Sequence, residues 1–348
     1  MAVVYLADQG ASISKRGDRL YVYKGTLLLR WFHTKDISQL IIVGNIAMTA
    51  QALTFLLKNR IDTVFLTYYG KFKGRLVGEF GKNVSLRIAQ FEFLRSLENR
   101  QDLASLYIVG KISNMQCHLA KRSKRNKHPL ISDALIKNSA ILEKVMQGIN
   151  DLNTLRGYEG IAAKNYFAAF PALIYSPEFP FTGRNRRPPK DEVNALLSLG
   201  YTFLMNQIMT ATYIVGLDPY YGALHDIAYG RQSLVLDLME EFRPLVDNLI
   251  ISSINRKEIR IEHFSYNQLP NDECEPDELD TNSRLLPVSM KPEGMKILIT
   301  AFAKMINTKY TSLSPIGEWA LKDIFLNQAR HLANHLERKE QYKSSLWQ

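Results

Sequence analysis

The sequence contains little cysteine and lacks the glycine-rich phosphate-binding motifs of nucleotide-driven enzymes. Its two cysteines, Cys117 and Cys274, lie far apart and form no C-x-x-C pair, which argues against a disulfide framework or a thiolate zinc site and indicates a reducing compartment. Neither G-x-x-x-x-G-K-S/T nor G-x-G-x-x-G occurs, so nucleotide-driven chemistry is disfavoured. No secretory signal opens the chain, and we therefore expect a cytoplasmic protein.

Positive charge exceeds negative charge along the chain. Lys plus Arg number 44 against 34 for Asp plus Glu, which gives a net charge of +10 over 348 residues. This surplus favours a polyanionic partner such as nucleic acid or a membrane surface, although a basic protein without such a partner accounts for it equally well. Residues 196–217 carry no charge and are long enough to cross a bilayer, but Asn206 and Gln207 in their middle indicate a buried core helix. We therefore expect no membrane association.

The pattern of apolar residues changes once along the chain, near Gly81. Residues 1–81 read as short strands separated by turn signals, with one helical pattern among them, and predict a small sheet sandwich with a single helix. Residues 84–348 show mostly helical spacing. The predicted fold class is thus α+β, with a small β-rich N-terminal domain and a larger all-α domain. An acidic stretch at 270–280 is most simply a solvated loop, and the role of 270–285 stays open.

Three carboxylates interrupt an apolar helical pattern in SLVLDLMEEF. At about 100° per residue, Asp237, Glu240 and Glu241 fall on one side of the helix. A carboxylate among apolar residues destabilises a fold by several kcal/mol unless it is paired or binds a metal ion. The alternative is the solvated face of an amphipathic helix, and this helix taken alone favours that alternative. Helical geometry does not choose among the three acids.

Two further residues favour a metal site over a solvated face. His225 ends a loop punctuated by glycine and proline just before this helix, and Glu159 lies among glycines at the start of an alanine-rich helix. Two carboxylates and an imidazole suit Mg²⁺ or Mn²⁺. A proline-stiffened loop with Arg184, Arg186 and Arg187 fits phosphate oxygens, although pairing of these arginines with neighbouring acids is equally consistent with the sequence.

These segments, in this order and spacing, resemble the Cas-one family, the CRISPR-associated spacer-acquisition integrases. The resemblance rests on LRGYEGIAAKNYF, on GRNRRPPKDEVNALLSLGY, and on GLDPYYGALH followed by SLVLDLMEEFRP. It covers nearly the whole chain and implies that Glu159, His225 and Glu240 are the catalytic metal ligands, with Asp237 as a supporting acid. Many relatives carry aspartate where this chain has Glu240. The resemblance also implies DNA-binding roles for Lys164, Arg184, Asn185, Arg186, Arg187 and Tyr201.

The resemblance further implies a function and an assembly. The family joins the 3′-OH ends of a protospacer to a CRISPR repeat in double-stranded DNA by metal-dependent transesterification, and the same centre is suited to a DNA endonuclease. It implies a homodimer formed through the N-terminal domain, and a heterohexamer with the small Cas-two partner. The rival hypothesis is a non-catalytic DNA-binding scaffold in which the acids are structural.

Overall fold

The computed structural model describes residues 2–68, 70, 72–78, 81, 83–124, 127–148, 151–185, 189–266, 288–313 and 316–346. Arg186, Arg187 and the acidic stretch 270–280 lie outside these residues. The strands are β1 (Ala2–Leu6), β2 (Ala11–Arg16), β3 (Arg19–Lys24), β4 (Leu27–His33), β5 (Ile37–Val43), β6 (Ala47–Met48), β7 (Asp62–Leu66), β8 (Phe72–Leu76), β9 (Phe264–Ser265), β10 (Ser289–Met290), β11 (Lys309–Leu313) and β12 (Ile316–Ala320). The helices are α1 (Ala50–Lys58), α2 (Val84–Arg95), α3 (Leu97–Ser123), α4 (Pro129–Met146), α5 (Leu152–Ala168), α6 (Phe170–Leu173), α7 (Glu192–Val215), α8 (Ser233–Met239), α9 (Arg243–Asn255), α10 (Pro292–Asn307) and α11 (Leu321–Leu336).

The N-terminal part contains two four-stranded sheets and helix α1, which confirms the predicted β-rich start. One sheet has the order β1-β5-β7-β8, with parallel pairing among its first three strands, and the other has the order β4-β3-β2-β6. Alternation along β2 and β3 points Ile13, Leu20 and Val22 inward and leaves the residues between them more exposed. These residues pack with Leu40 and Leu56 into a small core shared with α1.

The other face of the first sheet belongs to the core of the helical part. Ile41, Val64 and Leu66 pack in the same apolar cluster as the helices. Hydrogen bonds reinforce this junction, since Nε2 of Gln39 donates to Asp62 at 2.7 Å and to Thr210 of α7 at 2.6 Å. The two parts of the chain are therefore joined by a continuous apolar core.

Helix α7 lies at the centre of the helical part and confirms the interpretation of the uncharged run as a core helix. Most of its residues are buried, and Asn206 within it accepts a hydrogen bond from Arg75 of β8 through its backbone oxygen at 3.1 Å. Within the described residues, no helix is long and apolar enough to cross a membrane.

The region after Gly81 is mostly but not entirely helical, which corrects the expectation of an all-α domain. Strands β9 and β10 pair over two residues each, and β11 and β12 form an antiparallel hairpin. Segments of two to five residues are shorter than the window over which helical periodicity is read, so the surrounding helical pattern conceals them.

Candidate metal centre

Two of the predicted ligands, Glu159 and Glu240, meet across a third residue, Lys111. Glu159 lies on α5, Glu240 follows α8 at the start of a 3-10 helix spanning Glu240–Phe242, and Lys111 lies on α3. The ammonium of Lys111 contacts Oε1 of Glu159 and lies 2.5 Å from Oε2 of Glu240. The side chains of Lys111 and Glu240 are buried, whereas that of Glu159 is 25% exposed. Two carboxylates from separate helices thus share one cation.

Arg243 provides Glu240 with a second cation. Its Nε lies 2.9 Å from Oε1 of Glu240, three residues earlier in the chain. Burial alone would raise the pKa of Glu240, but the positive charges of Arg243 and Lys111 and the nearby His225 outweigh it, so that the pKa is lowered. Glu240 is therefore ionised at neutral pH.

The third predicted ligand, His225, is oriented by Asp237. Oδ1 of Asp237 lies 2.7 Å from Nδ1 of His225 and also accepts the backbone N–H of His225 at 3.0 Å. Oδ2 accepts the backbone N–H groups of Ala223 at 2.6 Å and Leu224 at 3.0 Å. This fully buried carboxylate fixes the loop and the imidazole together, which leaves Nε2 as the ring nitrogen for a ligand.

Side chains of helices α2 and α5 also hold the loop that carries His225. Arg156 of α5 donates from Nε and Nη2 to the backbone oxygen of Leu224 at 2.9 and 2.7 Å, and its Nη2 lies 2.5 Å from Asp226. Gln90 of α2 donates to the backbone oxygen of Asp218 at 2.9 Å. Helices α2 and α5 therefore fix His225 relative to Glu159.

Glu241, next to Glu240, points to a different part of the molecule. Its Oε1 accepts the hydroxyl hydrogen bond of Tyr342 at 2.7 Å, and its Oε2 accepts the backbone N–H of Ser345 at 2.8 Å. Asn114 of α3 donates to the backbone oxygens of Glu241 and Ser345 at 2.9 and 2.8 Å. Burial raises the pKa of Glu241 to about 8. The segment 342–345 thus packs directly behind the residue pair that begins the 3-10 helix.

The three acids of SLVLDLMEEF therefore do not form one carboxylate cluster. All three are buried, which rules out the solvated face that the helix alone favoured. Asp237 holds His225, Glu240 faces Glu159, and Glu241 holds 342–345. The separation arises because α8 ends at Met239 and the chain continues as a 3-10 helix, so the regular angle of 100° per residue no longer applies.

The chemical types of these side chains, two carboxylates and an imidazole, suit a hard divalent cation. Two carboxylate oxygens converge on one positive charge, and the buried Oε2 of Glu240 has only the ammonium of Lys111 as its partner within the described part of the chain. As the residues stand, no three His, Cys, Asp or Glu side chains in the described ranges come close enough together to hold an ion. The ammonium of Lys111 lies between the two glutamates.

The predicted DNA-binding residues have different surroundings. Lys164 is exposed on α5. Arg184 donates to Asn194 at 2.7 Å, and Asn185 donates to Asp191 at 3.2 Å, so the start of α7 holds both residues. The hydroxyl of Tyr201 donates to Asp247 at 2.5 Å. Within the described chain, Lys164 is thus the member of this set that is exposed to solvent.

Sequence reasoning missed three residues of this centre: Lys111, Arg243 and Asp247. Arg243 stands over the ring of Tyr201 at 4.7 Å, and Tyr201 in turn binds the buried Asp247. The signal for Lys111 was present in the sequence, because a single lysine interrupts the apolar run LYIVGKI, and a buried ammonium requires a buried partner.

Solved structures of the same fold place the chain in a structural class. A casposase bound to its integration product superposes with a TM-score of 0.81 at 24% identity, over 99% of this chain and 93% of that one. A Cas1 protein from Thermotoga maritima superposes with a TM-score of 0.79 at 22% identity, over 98% of each chain. The chain has the α+β architecture that these two proteins share.

Sequence comparison then identifies the family. The family model for CRISPR associated protein Cas1 matches residues 4–304. A CRISPR-associated endonuclease Cas1 of Rhodospirillum rubrum is 38% identical over 276 residues, which are 75% of this chain and 78% of that protein. One from Thermus thermophilus is 32% identical over 339 residues, 97% of this chain and 94% of that protein. The chain belongs to the Cas1 family of CRISPR-associated endonucleases, which confirms the resemblance to the Cas-one family.

Proposed function

We propose that this protein is a divalent-metal-dependent DNA integrase that joins the 3′-OH ends of a protospacer to a CRISPR repeat by transesterification. The observation that carries this proposal is the meeting of Glu159 and Glu240 on one cation, beside an imidazole that Asp237 fixes. Family membership supports it as well. The same centre is suited to DNA hydrolysis, in which water replaces the 3′-OH as nucleophile.

The residues have distinct roles in this proposal. Glu159, His225 through Nε2, and Glu240 would hold Mg²⁺ or Mn²⁺. Such an ion would polarise the phosphoryl oxygen and would stabilise the negative charge on the attacking and leaving oxygens. Arg243 keeps Glu240 ionised and oriented through its Nε at 2.9 Å. Exposed basic residues such as Lys164 contact DNA phosphates, which makes binding weaker as salt increases.

We further propose that the N-terminal part forms a homodimer. Strand β4 lies at the edge of its sheet and exposes Leu27, Leu28 and Trp31, with exposed fractions of 65%, 42% and 46%. An exposed apolar group of this kind marks an interaction surface. A solved Cas6-RT-Cas1–Cas2 complex contains a chain of this fold, which supports a small Cas-two partner. We propose that the two proteins assemble as a heterohexamer.

The experiment that tests the function is a joining assay with a labelled DNA fragment and a repeat-bearing plasmid, with and without EDTA. We expect EDTA to abolish joining, and Glu159→Gln, His225→Ala and Glu240→Gln each to abolish joining while DNA binding is largely kept. Glu143→Gln, an exposed glutamate on α4, is the matched control and retains joining. Unchanged joining in all three variants and in EDTA would favour the rival, a non-catalytic DNA-binding scaffold.

A further inference from the structure

Lys111 is a residue of the metal centre to which the proposed function assigns no role. It lies on α3 between the fully buried Ile108 and Ile112, and its own side chain is 4% exposed. An unpaired ammonium in such surroundings destabilises a protein by several kcal/mol. Its burial therefore depends on the carboxylates of Glu159 and Glu240, which it contacts simultaneously.

Within the ion-paired group of Lys111, Arg243, Glu159 and Glu240, the charges balance without a bound metal ion. The two negative charges of Glu159 and Glu240 face the two positive charges of Lys111 and Arg243. A divalent ion bound to the carboxylates of Glu159 and Glu240 would add two positive charges to this group and would take the position that the ammonium of Lys111 occupies. The ion and a resident cation would therefore repel each other and compete for the same carboxylate oxygens.

Lys111 is the cation free to move. Arg243 is held from two sides, by Oε1 of Glu240 at 2.9 Å and by the ring of Tyr201 at 4.7 Å. Lys111 is held by the two glutamates that are the proposed ligands, and its four-carbon side chain is flexible. The site opens toward solvent at Glu159 and at His225, whose side chains are 25% and 30% exposed.

We propose that Lys111 is the resident cation of this centre: it holds Glu159 and Glu240 together in the metal-free protein and gives up its position when a divalent ion binds. The inference rests on the proposed function, because it takes these two glutamates as metal ligands. Lys111 competes with the ion and weakens its binding. Once displaced, the ammonium turns toward the open side of the centre, where a DNA phosphate is its natural partner.

The coupling between metal and DNA follows from this exchange. A phosphate that binds the displaced ammonium stabilises the metal-bound arrangement, and linkage requires DNA and metal to strengthen each other's binding by the same factor. The protein therefore acquires its metal most readily when its DNA substrate is present.

Mn²⁺ titration of the full chain, followed through the electron paramagnetic resonance signal of free Mn²⁺, tests the exchange. We expect Lys111→Met to bind Mn²⁺ at least about tenfold more tightly than the wild type, a typical size for coupling of this kind. Lys121→Met removes an exposed lysine from the same helix and is the matched control for net charge. Equal or weaker Mn²⁺ binding by Lys111→Met, relative to the wild type, would overturn the inference.

Melting temperatures provide a second measurement on the same proteins. Without metal, Lys111→Met leaves Glu159 without its cation and Glu240 with Arg243 alone, so it melts below the wild type. Mn²⁺ raises its melting temperature more than that of the wild type. Lys111→Gln, which keeps a hydrogen-bond donor without the charge, gives the same comparison if Lys111→Met does not fold. Short duplex DNA should tighten Mn²⁺ binding by the wild type and not by these variants. If DNA tightens Mn²⁺ binding equally in the wild type and in the variants, the role of the released ammonium is contradicted.

Failure of this inference is distinguishable from failure of the proposed function. Wild-type protein that joins DNA in an EDTA-sensitive way, while Lys111→Met shows unchanged Mn²⁺ affinity, overturns the role of Lys111 alone. Joining that resists EDTA, together with no Mn²⁺ binding by the wild type or by Lys111→Met, overturns both.

Discussion

Nδ1 of His225 lies 2.7 Å from Oδ1 of Asp237, a carboxylate that also accepts three backbone N–H groups of the loop ending at His225. One fully buried carboxylate therefore sets both the course of the loop and the direction of the imidazole. The side chain of His225 is 30% exposed, so its other nitrogen remains accessible. Asp237 is thus a positioning residue, and a small change in its acceptor atoms will be transmitted to the imidazole of His225.

Asp237→Asn tests this positioning role. The amide replaces one acceptor oxygen with a donor that faces other donors, and we expect a loss of about 2 kcal/mol or more in the free energy of unfolding. Joining activity should fall by about 10–100-fold, as is usual when the partner of a metal-binding histidine is removed. Urea denaturation and the joining assay measure the two effects. Asp133→Asn, at an exposed acid that pairs with Lys137 one turn along α4, should change stability by less than about 0.5 kcal/mol. Full activity of Asp237→Asn would contradict the role.

Gly222→Ala tests how closely the loop approaches the same carboxylate. A Cβ atom at Gly222 would lie 2.4 Å from Oδ2 of Asp237 and 2.8 Å from the backbone nitrogen of Leu234, so the loop must shift. We expect a loss of about 1–3 kcal/mol in unfolding free energy, with reduced joining. Gly157→Ala on α5 meets no atom within 4 Å and should be neutral or stabilising by up to about 1 kcal/mol. Thermal and urea denaturation measure the stabilities of the two variants. Equal stabilities would contradict the close contact predicted at Gly222.

Asp247→Asn tests the acid that lies beneath Tyr201. Burial raises the pKa of Asp247 from 3.8 to about 6, even though hydrogen bonds from Tyr201 and Tyr166 and the charges of Arg243 and Arg184 lower it. Because the carboxyl group of Asp247 binds its proton more tightly in the folded protein than in the unfolded chain, it stabilises the fold. This contribution is fully present at pH values below 3.8 and is lost as the pH rises through about 6. It amounts to at most roughly 3 kcal/mol. Urea denaturation from about pH 4 to pH 7 should show the wild type losing stability relative to Asp247→Asn. A difference that does not vary with pH would contradict the assigned pKa.

Trp31→Glu tests the proposed dimer. Trp31 is 46% exposed on β4, where Arg19 stands over its ring at 4.4 Å. The substitution removes the large apolar ring and puts a charged group in its place, which an apolar interface does not accommodate, so we expect the variant to be monomeric. Light scattering after size-exclusion chromatography measures the mass. Ile136→Glu changes an apolar residue of α4 that is 71% exposed, and should remain dimeric. A dimeric Trp31→Glu, or a monomeric wild type, would contradict the proposed surface.

Local pattern was sufficient for most of the fold. The strands of the N-terminal part were predictable because apolar residues alternate along β2 and β3, and α7 because Asn206 sits in a run too polar at its centre for a membrane. The parallel order of β1, β5 and β7 was not predictable, since it depends on contacts between residues far apart in sequence.

The candidate site shows the limit of local pattern more sharply. Geometry on an ideal helix left Asp237, Glu240 and Glu241 equivalent, and family resemblance chose Glu240 as a metal ligand, which stays a prediction. The structure separates the three acids by their partners, and those partners lie on distant elements. Lys111 is 129 residues before Glu240, and Ser345 is 104 residues after Glu241. Neither contact leaves a periodic signal in the sequence.

The packing of residues 342–345 behind Glu241 bears on how the protein matures. During translation, α8 and the 3-10 helix leave the ribosome about a hundred residues before Tyr342 and Ser345. Until those residues emerge, Glu241 lacks the hydrogen bonds that Tyr342 and Ser345 provide in the folded protein. The hydrogen-bonded support behind the 3-10 helix that begins at Glu240 is therefore completed only near the end of synthesis.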